Sequence, residues 1–311
     1  MNQSFINTAV LLTAYDPPGP LNCVFFMLTF FLYVFTILAN LILILVIYMD
    51  SSLHKPMYIF LLNLAVNGLI GCSAVCPNVM DNLLRDAQSI SYGGCLLQVL
   101  FINVYALNAY AILAVMAYDR YVSICKPLQY HTIVTPSKVK LLLTVVYFIP
   151  VTLLSFQVYL TSQLPLCRFV INKLFCDNLS VVKLSCVKSA LGNIYGLFIT
   201  ASLVVLPFFL VLLSYMKILH VSLRASKESQ KKALSTCAPH LIVFINFSVS
   251  ILFSVVYNRH STVSKYVNHL ISAQFIFFPP LLHPLVYGIR TEEIRRSITK
   301  VIQRGILAGP L

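Results

Sequence analysis

The sequence predicts an all-α membrane protein, a bundle of seven transmembrane helices with an extracellular N-terminus and a short amphipathic C-terminal helix. Of its 311 residues, 59% are hydrophobic and only 10% are charged, which is more apolar surface than one water-soluble core can enclose. The apolar residues form runs of about 20 or more, the length that a helix needs to cross roughly 30 Å of hydrocarbon. These runs lack the alternation of a transmembrane β-barrel. The predicted spans are residues 21–48, 56–80, 93–118, 139–160, 191–216, 233–257 and 266–289.

Several of the predicted spans contain proline. In a helix bundle, neighbouring helices can supply the hydrogen bonds that a proline removes, so these residues predict kinks and not helix ends. The prolines concerned are Pro77, Pro150, Pro207, Pro279, Pro280 and Pro284.

The distribution of positive charge orients the bundle. Fifteen of the 22 Lys and Arg residues fall in segments that face the cytoplasm when the N-terminus is outside, and seven fall on the other side. Because short cytoplasmic loops carry an excess of positive charge, residues 1–20 are predicted to be extracellular and residues 290–311 to form a cytoplasmic tail. Residues 1–20 contain no Lys or Arg, so the first span is expected to act as its own uncleaved signal. Asn2 begins a sequon and is the predicted glycosylation site.

The formal net charge of +13 does not indicate a nucleic-acid partner. These charges line one membrane face and accompany no nucleic-acid-binding signature, so attraction to the anionic inner leaflet of the lipid bilayer explains them better. The sequence also has no Gly-rich phosphate loop, no HExxH and no GxSxG. It therefore predicts no enzyme activity and no cofactor.

Four of the nine cysteines are predicted to be extracellular: Cys95, Cys167, Cys176 and Cys186. In an oxidising compartment four cysteines allow three disulfide pairings, and their spacing does not choose among them. A zinc site is the alternative, but the paired CxxC spacing is missing and no histidine lies between Cys167 and Cys186. No metal site is predicted.

Titratable groups inside the spans help to separate a receptor from a transporter. Ion-coupled carriers commonly need buried carboxylates or basic groups to bind and release cargo. Apart from Tyr and Cys, the span interiors offer only His240, His269 and His283. We interpret each as a hydrogen-bonded packing residue and not as a proton relay. A passive carrier is left as an alternative.

Asp119 and Arg120 lie where the third span is predicted to leave the bilayer on the cytoplasmic side. One interpretation makes them interfacial anchors. The other makes them a switch, in which the carboxylate holds the neighbouring guanidinium until a cytoplasmic partner or a helix shift releases it. Cys95 at the outer end of the same predicted helix, 24 residues before Asp119, favours the switch.

Five motifs in order give the chain a resemblance to a known family. They are LHKPMYIFLLNLAVNG (53–68), MAYDRYVSICKPLQY (116–130), SYMKI (214–218), KALSTCAPHL (232–241) and PLLHPLVYGIRTEEIR (280–295). Over nearly its whole length the chain resembles the rhodopsin-like G-protein-coupled receptors and, within them, the vertebrate olfactory receptors. The wording of the second, fourth and fifth motifs is most similar to the fish branch.

The resemblance implies roles for particular residues. It implies disulfides between Cys95 and Cys176 and between Cys167 and Cys186. It implies a G-protein switch of Asp119, Arg120, Tyr121, Tyr215 and Tyr287. It further implies a cytoplasmic docking surface near residues 227–232 and an amphipathic helix on the membrane at 291–303.

The same resemblance implies partners and a location. The ligand would be a small-molecule odorant bound from outside within the helix bundle. The signal would pass to a stimulatory, olfactory-type heterotrimeric G protein and raise cyclic AMP. The protein would be a multi-pass protein of the plasma membrane.

Three residues depart from the family pattern and bear on the switch. Gly68 stands where such receptors usually carry an Asp in the second span, so the sodium-binding carboxylate is expected to be missing. His283 replaces the Asn before Pro284 in the seventh span. Ser248 replaces a tyrosine that olfactory receptors tend to show in the sixth span.

Ligand pockets in bundles lie between helices, and we expect this one among the outer halves of spans three, five, six and seven. Helical spacing supplies the candidates on each span. They are Gln98, Ile102, Tyr105, Ala106, Ala109, Ile199, Thr200, Leu203, Ile251, Leu252, Val255, Ala273 and Ile276. Ile102 occupies the place of the Asp of amine receptors, which disfavours a cationic amine ligand.

The predicted function is therefore an odorant receptor that activates a stimulatory G protein. A non-signalling membrane protein, such as a passive carrier, and a related receptor for a non-odorant ligand are the alternatives.

Overall fold

A computed structural model describes residues 8–15, 19–259 and 274–307. Its long helices are α1 (Pro20–Met49), α2 (Pro56–Leu84), α3 (Tyr92–Cys125), α4 (Pro136–Ser162), α5 (Ala190–Leu223), α6 (Lys227–Arg259), α7 (Phe278–Arg290) and α8 (Glu292–Leu307). Six of the described helices, α1 to α6, are long and apolar enough to cross a membrane. The predicted start of the seventh span lies outside the described residues; its described part consists of the helical residues 274–276, a turn at Phe277, and helix α7. Pro279 and Pro280 therefore lie in the first turn of α7, and the prediction that they kink the middle of a helix was wrong. The predicted seven-helix fold is confirmed.

Prolines in the first turn and side-chain caps mark the starts of several of these helices. Proline occupies the first turn of α1, α2 and α4, where its missing N–H costs no helical hydrogen bond. Side-chain caps begin three helices: Ser91 accepts from the Gly94 N–H at α3, Thr135 caps α4 and Ser189 caps α5.

Helix α5 changes its winding in the middle. Residues Ala201–Val205 form a π-helical segment between two α-helical parts. Pro207 follows after one residue, Leu206, and its ring lacks an N–H and clashes with the carbonyl four residues earlier. The wider turn accommodates this defect without ending the helix.

A similar defect in α7 joins that helix to α1. Pro284 cannot donate a backbone hydrogen bond to the carbonyl of Pro280. The Asn40 side chain of α1 donates to that carbonyl instead, at 2.9 Å, and also to its own helix at Thr36. Asn40 is fully buried, so this bond fixes the two helices against each other where no water competes.

The extracellular end carries a small sheet that the sequence did not predict. Strand β1 (Ala9–Leu12) lies between β2 (Ser89–Ser91), to which it is antiparallel, and β3 (Val170–Ile171), to which it is parallel. Val10 and Leu12 are buried while their neighbours are exposed, the alternation of a strand with one covered face. The N-terminal segment is thus part of the folded extracellular surface.

Candidate functional site

Two disulfides organise the extracellular loop between α4 and α5. Cys95 at the start of α3 is bonded to Cys176, and Cys167 is bonded to Cys186, with Cα atoms 5.4 and 5.2 Å apart. These are the two pairs that the resemblance implied. The first holds the loop over the bundle, and the second closes the loop on itself.

Gln98, a sequence candidate for ligand contact, forms hydrogen bonds within the protein through both the oxygen and the nitrogen of its side-chain amide. Its carbonyl oxygen accepts from the backbone N–H of Cys176 at 2.8 Å, and its amide donates to the backbone carbonyl of Ala74 on α2 at 3.3 Å. Gln98 is only 4% exposed. Gln98 therefore ties the disulfide-bonded loop to α2 and α3, and its contact with a ligand stays a prediction.

The other candidates on α3 face the interior of the bundle. Ile102, Tyr105, Ala106 and Ala109 are all buried. The ring of Tyr105 packs edge to face against Phe247 and Phe275, with centroids 5.9 and 6.4 Å away. Its hydroxyl is buried and has no hydrogen-bond partner among the described residues, so it is available to a ligand or a water.

A glycine on α2 makes room for that tyrosine. A Cβ atom at Gly71 would lie 2.4 Å from the Tyr105 ring, closer than atoms can approach. Sequence reasoning missed Gly71, since only the packed structure shows which ring lies against it.

The candidates on the remaining helices divide into two groups. Ile199 and Ile276 are buried, and Leu203 and Ile251 are partly buried. Thr200 and Leu252 lie on the outer surface of their helices, and Leu252 is 62% exposed. These two were wrong as pocket candidates, because adjacent residues of a helix point about 100° apart. Asn2, Ala273 and the side chain of Val255 lie outside the described residues.

Ser248, a departure from the family pattern, has a partner across the bundle. Its hydroxyl lies 3.1 Å from the hydroxyl of Tyr110 on α3. Tyr110 is 1% exposed and packs on Phe244 and Phe247. The pair links α3 to α6 directly below the candidate pocket, and no sequence signal distinguished Tyr110.

The cytoplasmic end of α3 differs from the predicted switch. The carboxylate of Asp119 accepts a hydrogen bond from the Tyr130 hydroxyl at 2.8 Å. Among the described residues no ion pair joins Asp119 to Arg120, and Nε of Arg120 is buried without a partner. The hypothesis that the carboxylate holds its neighbour is therefore wrong for this state: a loop tyrosine holds the carboxylate instead.

One histidine joins three helices beside Arg120. The Tyr215 hydroxyl of α5 lies 2.6 Å from Nδ1 of His240 on α6, whose Nε2 lies 2.9 Å from the Leu113 carbonyl of α3. Tyr287 of α7 is fully buried. His240 is the hydrogen-bonded packing residue that the sequence suggested, and its position makes it part of the candidate switch.

Tyr121, the last member of the predicted switch, contacts α5. The ammonium group of Lys217 lies 5.7 Å from the centroid of its ring, a cation–π contact. It holds the cytoplasmic ends of α3 and α5 together beside the candidate switch.

Close helix packing explains Gly68 but not His283. A Cβ atom at Gly68 would lie 3.3 Å from Cβ of Pro280 and 3.6 Å from the Asn40 side chain. Helix α7 thus occupies the space that the side chain of the Asp expected from the resemblance would need. His283 is 1% exposed and packs near Phe247, with ring centroids 6.4 Å apart. Both of its ring nitrogens are buried without a hydrogen-bond partner among the described residues, so the expectation that it is a hydrogen-bonded packing residue was wrong. Within the described part of the chain, no cluster of three or more His, Cys, Asp or Glu residues forms a metal site.

A bundle of membrane-spanning helices, a disulfide-anchored outer loop and a polar network at the inner end define a seven-helix membrane receptor. The olfactory receptor family model matches residues 29–304. Olfactory receptor 52D1 of Homo sapiens is 36% identical over 279 residues, 88% of this chain and 87% of the relative. Olfactory receptor 1496 of Rattus norvegicus is 33% identical over 305 residues, 97% of each chain. The chain therefore belongs to the olfactory receptor family.

Family membership confirms several predictions. The protein is an odorant receptor of the plasma membrane that acts through a G protein, and it is not an enzyme. The alternative of a passive carrier is not favoured.

Proposed function

We propose that a small, mainly apolar odorant binds between α3, α5, α6 and α7 and that its binding activates a stimulatory G protein and raises cyclic AMP. The observation that carries this proposal is the link from Tyr215 through His240 to Leu113. This link connects the three helices that must separate to admit a partner at the cytoplasmic end. The candidate pocket lies above it on the same helices.

The side chains of the candidate pocket define the ligand class. Ile102, Ala106, Ile199 and Ile276 present apolar surface, which favours a hydrocarbon-rich molecule. The Tyr105 hydroxyl is the polar group among them without a partner in the described residues, and it suits one carbonyl, ester or hydroxyl oxygen of a ligand. Since no described carboxylate lines this region, a cationic amine would lack a counter-charge.

The resting contacts suggest how the switch works. Ligand between α3 and α6 acts on Tyr110, Ser248 and Phe247, which lie one to two turns above His240. A shift of α6 breaks the bond from His240 to Tyr215 and frees the phenol to turn toward Arg120. The guanidinium is available because Asp119 is occupied by Tyr130.

The cytoplasmic surface offers an anchor for the G protein. Leu128, in the short turn Pro127–Gln129 after α3, is 99% exposed, so a partner that covers it gains the free energy of burying an apolar side chain. Exposed Lys126, Lys227 and Lys231 lie in the neighbouring cytoplasmic segments and would attract an acidic partner. We assign this surface to the G protein.

A cyclic AMP reporter tested with an odorant panel in cells with and without the stimulatory α subunit tests the proposal. We expect a response to some ligand that needs this subunit and is lost in Arg120→Ala at equal surface expression. A full response in cells that lack the subunit would overturn the stimulatory assignment. A full response in Arg120→Ala would overturn the switch.

A further inference from the structure

Helix α8 is attached to the first cytoplasmic loop by a carboxylate of that loop. The side chain of Asp50, at the end of α1, accepts from the Ser52 N–H at 3.0 Å and from the Ser297 hydroxyl of α8 at 2.6 Å. Ser297 is 2% exposed, so its hydroxyl is shielded from competing water. Hydrogen bonds to an ionised acceptor are stronger than neutral ones. This bond fixes the middle of α8 to the end of α1.

A second carboxylate, from α8 itself, makes the reciprocal contact. Glu293 accepts from the Tyr58 hydroxyl of α2 at 2.6 Å and from the Lys55 ammonium group at 3.1 Å. The Lys55 and Glu293 side chains are more than half exposed, so their ion pair contributes little. Tyr58 is 5% exposed, and its hydrogen bond is the specific part of the contact.

The two contacts lie on one face of α8. Residues 293 and 297 are four apart, which places them one above the other on a helix. Between them Ile294 is fully buried in the same apolar cluster as Tyr287. Apolar contact alone is non-directional and would let α8 slide or rotate, whereas the two hydrogen-bonded carboxylates fix its register. We call Asp50, Lys55, Tyr58, Glu293 and Ser297 the α8 dock.

The dock lies next to the switch along the chain. Helix α7 ends at Arg290, and the single residue Thr291, with extended backbone (φ −93°, ψ 108°), separates it from α8. Tyr287 is one turn before this break. A backbone movement of α7 at Tyr287 must therefore bend the chain at Thr291 or pull α8 out of its dock.

We propose that Glu293 and Ser297 are positioning residues for the switch: by docking α8 on α1 and α2, they hold the inner end of α7 in its resting place. This inference rests on the proposed function and on the part in the switch that the resemblance implies for Tyr287. Loss of either contact lowers the free-energy cost of moving α7 and therefore raises signalling in the absence of ligand.

The first test measures cyclic AMP without ligand, per receptor at the cell surface, for Glu293→Gln and Ser297→Ala in the full chain. We expect basal signalling to rise about two- to tenfold, the range that loss of one hydrogen bond permits, with the maximal response unchanged. Tyr58→Phe cuts the Glu293 contact from the other side and serves if Glu293→Gln does not reach the surface. Arg296→Gln, which removes only an exposed ion pair with Glu292 on α8, is the matched control and should change nothing.

A double-mutant cycle identifies the bond itself. Asp50→Ala also removes the bond from the Ser52 N–H, so the comparison is made within that variant: adding Ser297→Ala to Asp50→Ala should raise basal signalling no further, because the shared contact is already lost. Additive effects would overturn the pairing as the cause.

The second test needs no signalling. Ile294→Cys places a thiol on the buried face of α8, and its labelling by a thiol reagent in permeabilised membranes is compared with that of the unsubstituted chain. Adding Glu293→Gln or Ser297→Ala should increase the labelling rate several-fold, also in an Arg120→Ala receptor that cannot signal. Unchanged labelling would overturn the dock. Faster labelling with unchanged basal signalling would overturn its role in positioning while leaving the proposed function intact.

Discussion

The phenol oxygen of Tyr215 lies 2.6 Å from Nδ1 of His240, and the same imidazole contacts the Leu113 carbonyl through Nε2 at 2.9 Å. A carbonyl oxygen can only accept, so Nε2 carries the proton and Nδ1 accepts from the tyrosine. The ring also stacks on Phe244, with centroids 6.5 Å apart. One neutral imidazole thus holds α3, α5 and α6 together at the inner end of the bundle.

Replacing His240 by Phe should raise basal signalling. The aromatic ring keeps the stacking on Phe244 but loses both hydrogen bonds, each worth about 1 kcal/mol. The loss of about 2 kcal/mol corresponds to a rise in basal signalling of roughly thirtyfold per surface receptor, measured in a cyclic AMP assay. Tyr147→Phe, which removes a hydroxyl contact between α4 and Asn63 of α2, is the control and should leave basal signalling unchanged. Equal behaviour of the two variants would contradict a special role for His240.

Gly71→Ala should impair folding of the receptor. The added methyl would lie 2.4 Å from the Tyr105 ring, and overpacking of this kind costs about 1 to 3 kcal/mol. We expect a lower melting temperature in detergent and less receptor at the surface. Gly288→Ala is a matched control, because no atom lies within 4 Å of the site of its new methyl. Normal thermal stability of Gly71→Ala would show that the Tyr105 ring can move away.

Cys95→Ser should be retained inside the cell. Loss of a native disulfide costs about 2 to 5 kcal/mol in small secreted domains, and here it also releases the loop that Gln98 and Cys176 hold over the bundle. Surface staining of intact cells measures the loss. Cys23→Ser, which changes an exposed free cysteine, should be displayed normally. Unaltered display and ligand potency of Cys95→Ser would argue against this anchor.

Leu128→Ala should weaken signalling without destabilising the receptor. The side chain is 99% exposed and does not pack in the core. Its truncation should therefore change the free energy of unfolding very little. We expect a reduced rate of ligand-stimulated nucleotide exchange on the G protein at unchanged surface expression. Leu223→Ala, which truncates another exposed leucine at the inner end of α5, provides the comparison. If both variants signal like the unsubstituted receptor, Leu128 is not the anchor.

The α8 dock should persist under mild acid. Hydrogen bonds from Ser297 and Ser52 lower the pKa of Asp50 to about 2, and the bond from Tyr58 lowers the pKa of Glu293. A carboxylate with a lowered pKa contributes stability that is present above its unfolded value and is lost as the pH falls through the folded value. The labelling rate of Ile294→Cys, divided by that of a small free thiol at the same pH because the thiolate is the reactive form, should therefore be equal at pH 7.4 and 5.5. A marked increase at pH 5.5 would contradict ionised carboxylates in the dock.

Periodicity predicted part of the candidate site and misplaced another part. It identified the inward face of α3 from Ile102 to Ala109, since every third or fourth residue of a helix shares a face. It failed where two adjacent residues were taken together, as with Ile199 and Thr200 or Ile251 and Leu252. One residue of each pair faces the bundle and the other faces lipid.

The partner of a polar group was harder to predict than its position. The sequence placed Asp119 at the inner end of α3 but suggested its neighbour Arg120 as the partner. Side chains one residue apart on a helix diverge, whereas the loop that follows α3 folds back and brings Tyr130 to the carboxylate. The role of Gln98 was missed for the same reason, because its partner Cys176 lies in a loop 78 residues further along the chain.

The amino-acid sequence by itself determined that this chain crosses the membrane as a bundle of helices, because a bilayer requires long apolar runs with internally satisfied backbone groups. Its motifs also determined the family. Only the tertiary structure decided which polar atoms meet, from Tyr215 and His240 to Ser297 and Asp50. These contacts join residues that are distant in sequence, and a hydrogen bond depends on a few tenths of an ångström that only the packing of helices and loops fixes.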